Sequence, residues 1–127
     1  MPVRWTVDHA RELFEVVGEG PAQPADMHAI LDAMEKENAV SYRKLIDARK
    51  IVAAFDGRNF GPLIARLAAF ENPGPFAFVV PTGGPADGVS RLFLLVSDLE
   101  SRGRIFRDIE EARAWLMTRP TGKPATP

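Results

Sequence analysis

The segment FAFVVP at residues 76–81 constrains the fold more than any other part of the sequence, because it is apolar on both faces that a β-strand presents. Strands of this kind lie inside parallel sheets, where helices cover both sides. Parallel neighbours need a crossover connection, which is usually a helix. The sequence therefore predicts an α/β layer fold with this strand in the interior of the sheet.

Four other segments repeat apolar residues at helical spacing and predict four helices. Pro24 suits the first turn of the first helix, Asn59 is a candidate N-cap of the second, and Asp108 with Glu111 fits a capping box that begins the last. The apolar positions are Met27, Ile30, Leu31 and Met34; Phe60, Leu63, Ile64 and Leu67; Val89, Leu92, Phe93, Val96 and Leu99; and Ile109, Ala112, Trp115 and Leu116.

The N-terminal residues predict a β-hairpin. Val3, Trp5 and Val7 alternate with polar residues, a polar turn follows, and ELFEVVGEG at 12–20 supplies the second strand. A short buried strand is predicted at 42–48 (YRKLIDA) and a brief last strand at 104–106. The predicted fold is a mixed sheet of four to five strands in the order ββαβαβαβα, forming one domain over residues 1–118 with a flexible tail at 119–127.

Composition excludes several classes of protein. A chain of 127 residues with a net charge of −1 fits one globular domain and argues against a dedicated nucleic-acid binder. The absence of cysteine excludes disulfides, thiolate catalysis and the usual structural zinc sites. His9 and His28 have no carboxylate at metal-ligand spacing, so no metal or other cofactor is expected. With no targeting segment and no membrane span in view, we expect a soluble cytoplasmic protein.

The candidate binding residues follow strands, at the sheet edge where ligands of parallel sheets usually bind. Asp47 is predicted to end its strand, and the glycine-rich loop PTGGPADG lacks the Lys and Ser/Thr that complete a phosphate-binding loop. Structural roles remain open for all of them: turn amides for Asp47, a solvated basic face for the arginines, and positive φ angles for the glycines. The candidates are Asp47, Arg49, Asp56, Arg58, Asn59, Gly83 and Gly84.

The element order, together with YRKLIDARK at 42–50 and RIFRDIEEARAWL at 104–116, resembles the STAS-like group of small bacterial proteins, which includes SEC14-like members. These proteins share the fold of the sulphate-transporter and anti-sigma-factor-antagonist domain. The resemblance covers about residues 3–117 and implies a module that binds a protein or a small ligand without catalysis. In anti-sigma antagonists a serine at a helix N-terminus, in an Asp-Ser-Ser/Thr-Gly context, is the phosphorylation switch. Here FDGRNFG occupies that place: Asp56 matches, but Gly57 and Arg58 stand where the hydroxyl residues belong.

Three functional hypotheses remain. The first is a STAS-like regulatory or protein-binding module without the serine switch, with a protein partner or a homodimer formed at the hairpin edge. The second is a sensor or carrier for an anionic or lipid-like ligand held near Arg49, Arg58, Gly83 and Gly84. The third, an enzyme that uses Asp47 and Asp56 as paired carboxylates, is the least favoured because the only candidates for positioning a substrate are arginines on predicted mobile loops.

Overall fold

The computed structural model describes residues 3–53, 61–81 and 103–122, and these form a five-stranded sheet with helices on both faces. This architecture confirms the predicted α/β fold with an N-terminal hairpin. The third predicted helix, at 89–99, lies outside the described residues. The strands are β1 (Val3–Asp8), β2 (Leu13–Ala22), β3 (Arg43–Ala53), β4 (Phe76–Val79) and β5 (Gly103–Phe106), and the described helices are α1 (Pro24–Lys36), α2 (Gly61–Ala69) and α3 (Ile109–Met117).

The strands lie in the order in which they occur along the chain, β1-β2-β3-β4-β5. β1 and β2 pair antiparallel, and every later pair is parallel, as predicted for strands linked through helices. β4 lies between β3 and β5, and all four of its residues are buried. Its apolar sequence thus reflects an interior strand. We call the sheet edge where β2 to β5 begin the amino edge, and the opposite one the carboxyl edge.

Alternating side chains divide the core into two layers. Phe14 and Phe78 point to the larger layer, which packs against α1 and α2. Their sequence neighbours Leu13 and Val79 point to the smaller layer, which packs against Ala112 and Leu116 of α3. α3 therefore lies on the opposite face of the sheet from α1 and α2.

Side-chain hydrogen bonds cap the starts of α1 and α3, and others connect α2 to α1. The backbone amide of Gln23 donates to the Asp26 carboxylate (2.7 Å) at the start of α1. Arg66 of α2 reaches across to α1, where it donates to Asp32 (2.5 Å) and Glu35 (2.7 Å). Those two hydrogen bonds, Glu35 first, raise the pKa of Arg66 above its ordinary value. Asp108, predicted as an N-cap, accepts from the amides of Glu110 and Glu111 at 2.8 and 3.1 Å.

β3 is longer than the sequence predicted, and this corrects the interpretation of Asp47 as the end of a strand. The strand continues to Ala53 because β2 also continues, so that residues 50–53 pair with residues 19–22. The register shifts once on the way: Val17 faces Asp47, but Glu19 faces Lys50. One extra residue in β3 therefore forms a β-bulge. The bulge interrupts the alternation of side chains, which is the signal that would have identified a strand there.

The beginning of the predicted tail packs against the sheet. Arg43 Nε donates to the carbonyl of Arg119 (2.9 Å), and the amide of Gly122 donates to the carbonyl of Ser41 (2.8 Å). A Cβ atom at position 122 would lie 2.0 Å from the carbonyl oxygen of Asn72, so only glycine fits this approach. Residues 119–122 thus extend the packed region beyond the predicted boundary at 118.

Candidate functional site

The bulge in β3 brings Asp47 and Arg49 together at the carboxyl edge. Arg49 Nε donates to Asp47 Oδ1 (2.9 Å) and Arg49 Nη2 donates to Asp47 Oδ2 (2.8 Å), which is the bidentate arrangement of a planar guanidinium on a carboxylate. The Arg49 backbone amide also donates to Oδ1, at 3.2 Å. The Asp47 side chain is 14% exposed and that of Arg49 is 43% exposed. The carboxylate of the pair is therefore largely buried, and the guanidinium is open to solvent.

Asp47 is ionised well below neutral pH. The Arg49 side-chain hydrogen bonds lower the pKa of Asp47 from its ordinary value of 3.8 and outweigh partial burial, which acts in the opposite direction. The Arg49 amide and the positive charges of Arg49 and Lys50 lower it further. A carboxylate with a lowered pKa is a poor proton donor near neutral pH. Asp47 is thus suited to holding Arg49 in place rather than to acid catalysis.

The face on which Asp47 lies follows from the strand alternation. Leu45, two residues earlier, packs in the layer under α3. Asp47 follows on that same face, between Val17 of β2 and Val79 of β4. Beyond the bulge, Lys50 lies opposite Glu19. We define the carboxyl-edge strip as the four charged residues Glu19, Asp47, Arg49 and Lys50.

The N-terminus of α3 borders this strip. Asp108 caps the helix, and its charge is near enough to raise the pKa of Arg49, although the hydrogen bond and charge of Asp47 contribute more. Further along the same face, Arg113 of α3 lies 3.4 Å from Glu15 of β2. Arg4 of β1 lies 3.3 Å from Glu19 at the other end of the strip. The strip is thus part of a surface on which positive and negative groups alternate.

The structure brings together two of the seven residues that the sequence singled out, Asp47 and Arg49. Lys50 lies beside them, although it was not among the seven candidates. Its position one residue after Arg49 would have indicated it if β3 had been predicted to extend beyond residue 48. The expectation that Asp47 accepts amides from a following turn is half correct, because it accepts the Arg49 amide inside a bulged strand. The remaining candidates, Asp56, Arg58, Asn59, Gly83 and Gly84, lie outside the described residues.

A second polar cluster lies at the amino edge, and no local sequence signal predicted it. His9 follows β1, and its Nδ1 lies 2.7 Å from the Tyr42 hydroxyl, while its Nε2 lies 3.1 Å from the Glu37 carboxylate. In the neutral tautomer that satisfies both contacts, the tyrosine hydroxyl donates to Nδ1 and Nε2 donates to Glu37. Lys44 is 0% exposed, donates to the carbonyls of Val40 and Tyr42, and lies over the Phe76 ring at 4.7 Å. These groups fasten the start of β3 to its neighbours.

Two cavities of about 330 Å³ each lie away from the carboxyl edge. One is formed by residues 72–75 and 119–122 near the amino edge, and the other lies between Trp5 and α1. Within residues 3–53, 61–81 and 103–122, no group of three or more His, Asp or Glu residues is placed to hold a metal ion. In the same part of the chain, no helix is long and apolar enough to cross a membrane.

Comparison with known proteins identifies the fold. No protein-family model matches the sequence, and neither does any curated protein. Among solved structures, the chain is similar to an uncharacterised DUF3478-family protein with a SpoIIAA-like fold from Shewanella loihica, with a TM-score of 0.63 and 15% identity over 90% of this chain and 93% of that one. This protein has the SpoIIAA-like fold.

A second solved structure supports the same assignment. It is an anti-sigma factor antagonist from Mycobacterium paratuberculosis, with a TM-score of 0.55 and 16% identity over 90% of this chain and 93% of that one. The STAS-like fold predicted from the element order and the two end segments is thereby confirmed. At identities of 15% and 16% the likeness extends to the arrangement of the elements.

Proposed function

We propose that this protein is a non-catalytic regulatory module that binds another protein through the carboxyl-edge strip. The observation that supports this most is the Asp47–Arg49 pair, held by two side-chain hydrogen bonds in a bulged strand, with the guanidinium 43% exposed. The fold is shared with a protein described as an anti-sigma factor antagonist. A binding module needs a surface with charges in fixed positions, and it does not need catalytic residues.

The geometry of the strip suits recognition of a folded partner. Arg49 is fixed by Asp47, so ordering it on binding costs less conformational entropy than ordering a free arginine would. Lys50 and Glu19 add an exposed charge of each sign beside it. Charges of both signs in a fixed pattern steer association and exclude partners with the wrong pattern. We therefore expect binding that weakens as the salt concentration rises.

We propose further that the module does not switch by serine phosphorylation. At the place of the hydroxyl residues of anti-sigma antagonists it has Gly57 and Arg58, neither of which accepts a phosphoryl group as Ser or Thr does. Association is then controlled by the amount of partner or by another ligand. Asp56, which stands at the place of the aspartate in that motif, remains a candidate contact for the same partner.

Quantitative affinity capture with paired variants tests this proposal. The tagged wild-type chain, Lys50→Glu and Lys36→Glu are compared as baits. Both substitutions reverse an exposed lysine, but Lys50 is in the strip and Lys36 is in the last turn of α1. We expect at least one protein that the wild type and Lys36→Glu retain equally and that Lys50→Glu loses by about tenfold, the effect of about 1.4 kcal/mol.

Two results would contradict the proposal. One is a capture in which no protein exceeds the background of an empty matrix. The other is a set of captured proteins that Lys50→Glu retains as well as Lys36→Glu does. Circular dichroism of both variants controls for folding, which we expect to be unchanged because both side chains are exposed.

The alternative, a sensor for an anionic or lipid-like ligand, is disfavoured at Arg49, because the Asp47 carboxylate already neutralises the charge of its guanidinium and weakens the attraction for a second anion. Its other proposed contacts, Arg58, Gly83 and Gly84, lie outside the described residues. A thermal-shift screen of nucleotides, phosphorylated metabolites and fatty acids distinguishes the two hypotheses. A true ligand at a hundred times its dissociation constant adds about 2.7 kcal/mol to the free energy of unfolding, whereas a pure protein-binding module shows no such shift.

A further inference from the structure

β1 is a border strand of the sheet, and among the described residues it pairs with β2 alone. A border strand presents a row of backbone N–H and C=O groups that can pair with another strand. Proteins usually protect such strands with proline, with a bulge or with charged side chains. β1 has no proline and no bulge between Val3 and Asp8, and its two charged residues, Arg4 and Asp8, have opposite signs, so they need not repel a second copy.

The spacing of these charges makes the strand complementary to itself. We propose that two copies of this chain pair through antiparallel β1 strands, with Thr6 on the two-fold axis, to form one continuous sheet. In this register Arg4 lies directly opposite the partner subunit's Asp8, and Asp8 lies opposite the partner subunit's Arg4. Opposite charges placed directly across an antiparallel pair are stabilising, so the dimer contains two such pairs.

The other face of the strand fits the same register. Trp5 lies opposite the partner subunit's Val7, an aromatic and β-branched pair of the kind that stabilises antiparallel sheets. Both side chains are half-buried in the single chain. Trp5 also lines the cavity of about 330 Å³ beside α1, together with Ala29 and Ala33. A two-fold axis perpendicular to the sheet places both α1 helices on the same face of the joined sheet, so pairing narrows the cavity beside each α1.

Neighbouring registers lack this match. Sliding one strand by two residues moves the axis by one residue, to Trp5 or Val7, and Arg4 or Asp8 then lies opposite Thr6 with no charged partner. The register centred on Thr6 therefore joins both charges and both apolar residues at once. Such a match is needed to specify one pairing, because register is otherwise weakly fixed at a polar edge.

The contacts within one chain leave room for these bonds. Arg4 donates one Nη2 bond to Glu19, and its side chain is 70% exposed. Asp8 accepts the Arg11 amide through Oδ1, its Oδ2 lies 3.8 Å from Arg11 Nε, and its side chain is 46% exposed. A guanidinium has five N–H donors and a carboxylate has about four acceptor positions, so each group has capacity for a further partner.

A charge-swap experiment on the full chain tests the register. Arg4→Glu places Glu opposite the partner's Asp8, and Asp8→Arg places Arg opposite the partner's Arg4, so each variant repels its own copies. A one-to-one mixture of the two variants restores both opposite-charge pairs. By light scattering after size exclusion, we expect the wild type and the mixture to show the mass of two chains in the micromolar range, and each variant alone to show the mass of one chain.

A single cysteine tests the position of the axis. The chain has no cysteine, so Thr6→Cys introduces one thiol that faces its own symmetry mate. Residues directly opposite in an antiparallel pair bring their Cβ atoms to about 4.5–5.5 Å, close to the separation that a disulfide needs. Mild oxidation should cross-link most of Thr6→Cys into a covalent dimer. Thr118→Cys, exposed just after α3, serves as the control for random collision.

Each outcome decides the question. Loss of the dimer in both variants, its return on mixing and selective cross-linking at position 6 would support the proposal. A wild type that remains a monomer would overturn it. So would a dimer that both charge variants retain, or cross-linking at position 118 that equals that at position 6. Because the mixture contains the same two variants as the separate samples, restored dimerisation also shows that both variants are folded.

Discussion

The two edges of the sheet use charged residues in opposite ways. At the amino edge, Lys44 is fully buried and donates to two backbone carbonyls, and Arg43 donates to the carbonyls of Arg11 and Arg119. At the carboxyl edge, Arg49 bonds to the carboxylate of Asp47, and Lys50 is exposed one residue later. Lysine and arginine thus donate to backbone carbonyls at the amino edge, whereas at the carboxyl edge they expose charged groups to solvent.

This difference indicates how a small sheet separates stability from recognition. Removing the buried Lys44 leaves the Tyr42 carbonyl without this donor, while the Val40 carbonyl keeps the Gly74 amide, so the amino edge is sensitive to mutation. An exposed ion pair contributes little to stability because solvent screens it, so the carboxyl edge can change without unfolding the chain. The edge that matters less for stability is the one on which we place partner binding.

The largest expected effect is a difference in the free energy of unfolding between substitutions at the two lysines of β3, Lys44 and Lys50. We expect Lys44→Met to lower the free energy of unfolding by about 2 kcal/mol, because the buried Tyr42 carbonyl loses its donor. The matched variant Lys50→Met should change it by less than about 0.5 kcal/mol, since that side chain is exposed. Urea denaturation followed by circular dichroism measures both. Equal losses in the two variants would break the comparison between the edges.

Asp108 tests the comparison between the edges more closely, because it lies at the carboxyl edge but caps the N-terminus of α3. Asp108→Ala should cost about 1 kcal/mol, since two amides at the start of α3 lose their acceptor. Glu110→Ala, in the first turn of the same helix, should cost only a few tenths of a kcal/mol. Its carboxylate has a 3.4 Å contact with Arg113 and is 77% exposed. The same denaturation measurement checks this pair, and a similar cost for both would show that the cap is unimportant.

The smallest expected effect is that of the Asp47–Arg49 pair, and it depends on pH. The folded chain lowers the pKa of Asp47 below its ordinary value of 3.8, so the stabilisation is complete above that value and is lost as the pH falls through the lower, folded pKa. Asp47→Asn should therefore cost at most about 1 kcal/mol at pH 7, because Arg49 is partly exposed. The difference from the wild type should shrink as the pH is lowered below about 4.

Measuring unfolding of both proteins between pH 7 and acid conditions checks this prediction. A difference that stays constant through the acid range would show that the Asp47 carboxylate is not stabilised by Arg49. A difference that grows as the pH falls would indicate a raised rather than a lowered pKa. Raising the salt concentration at pH 7 should reduce the difference, since the Arg49 guanidinium is exposed to solvent.

Local patterns predicted most of the fold. The apolar run in β4 indicated an interior parallel strand, the alternation of Val3, Trp5 and Val7 indicated the hairpin, and Asp108 indicated the start of α3. Each of these signals depends on residues that are close together in the chain. The end of β3 was not predicted because the bulge interrupts the alternation of side chains. The charged residues at 49 and 50 therefore looked like part of a loop.

Contacts between distant segments could not be predicted in this way. His9, Glu37 and Tyr42 meet through three separate segments, and none has a sequence neighbour that indicates the others. The same holds for the packing of Gly122 against Ser41. The sequence directed attention to the carboxyl edge because the ends of parallel strands converge there, but the bidentate pairing of Asp47 with Arg49 depends on the bulge.

The most direct test of partner binding at the carboxyl edge is amide hydrogen exchange of this protein with and without the partner that Lys50→Glu fails to retain. We predict added protection in the peptides that cover residues 45–53 and 104–110, around the strip and the start of α3. Residues 9–14 and 38–44 at the amino edge should exchange as they do in the free protein. Protection confined to the amino edge, with residues 45–53 unchanged, would contradict the account.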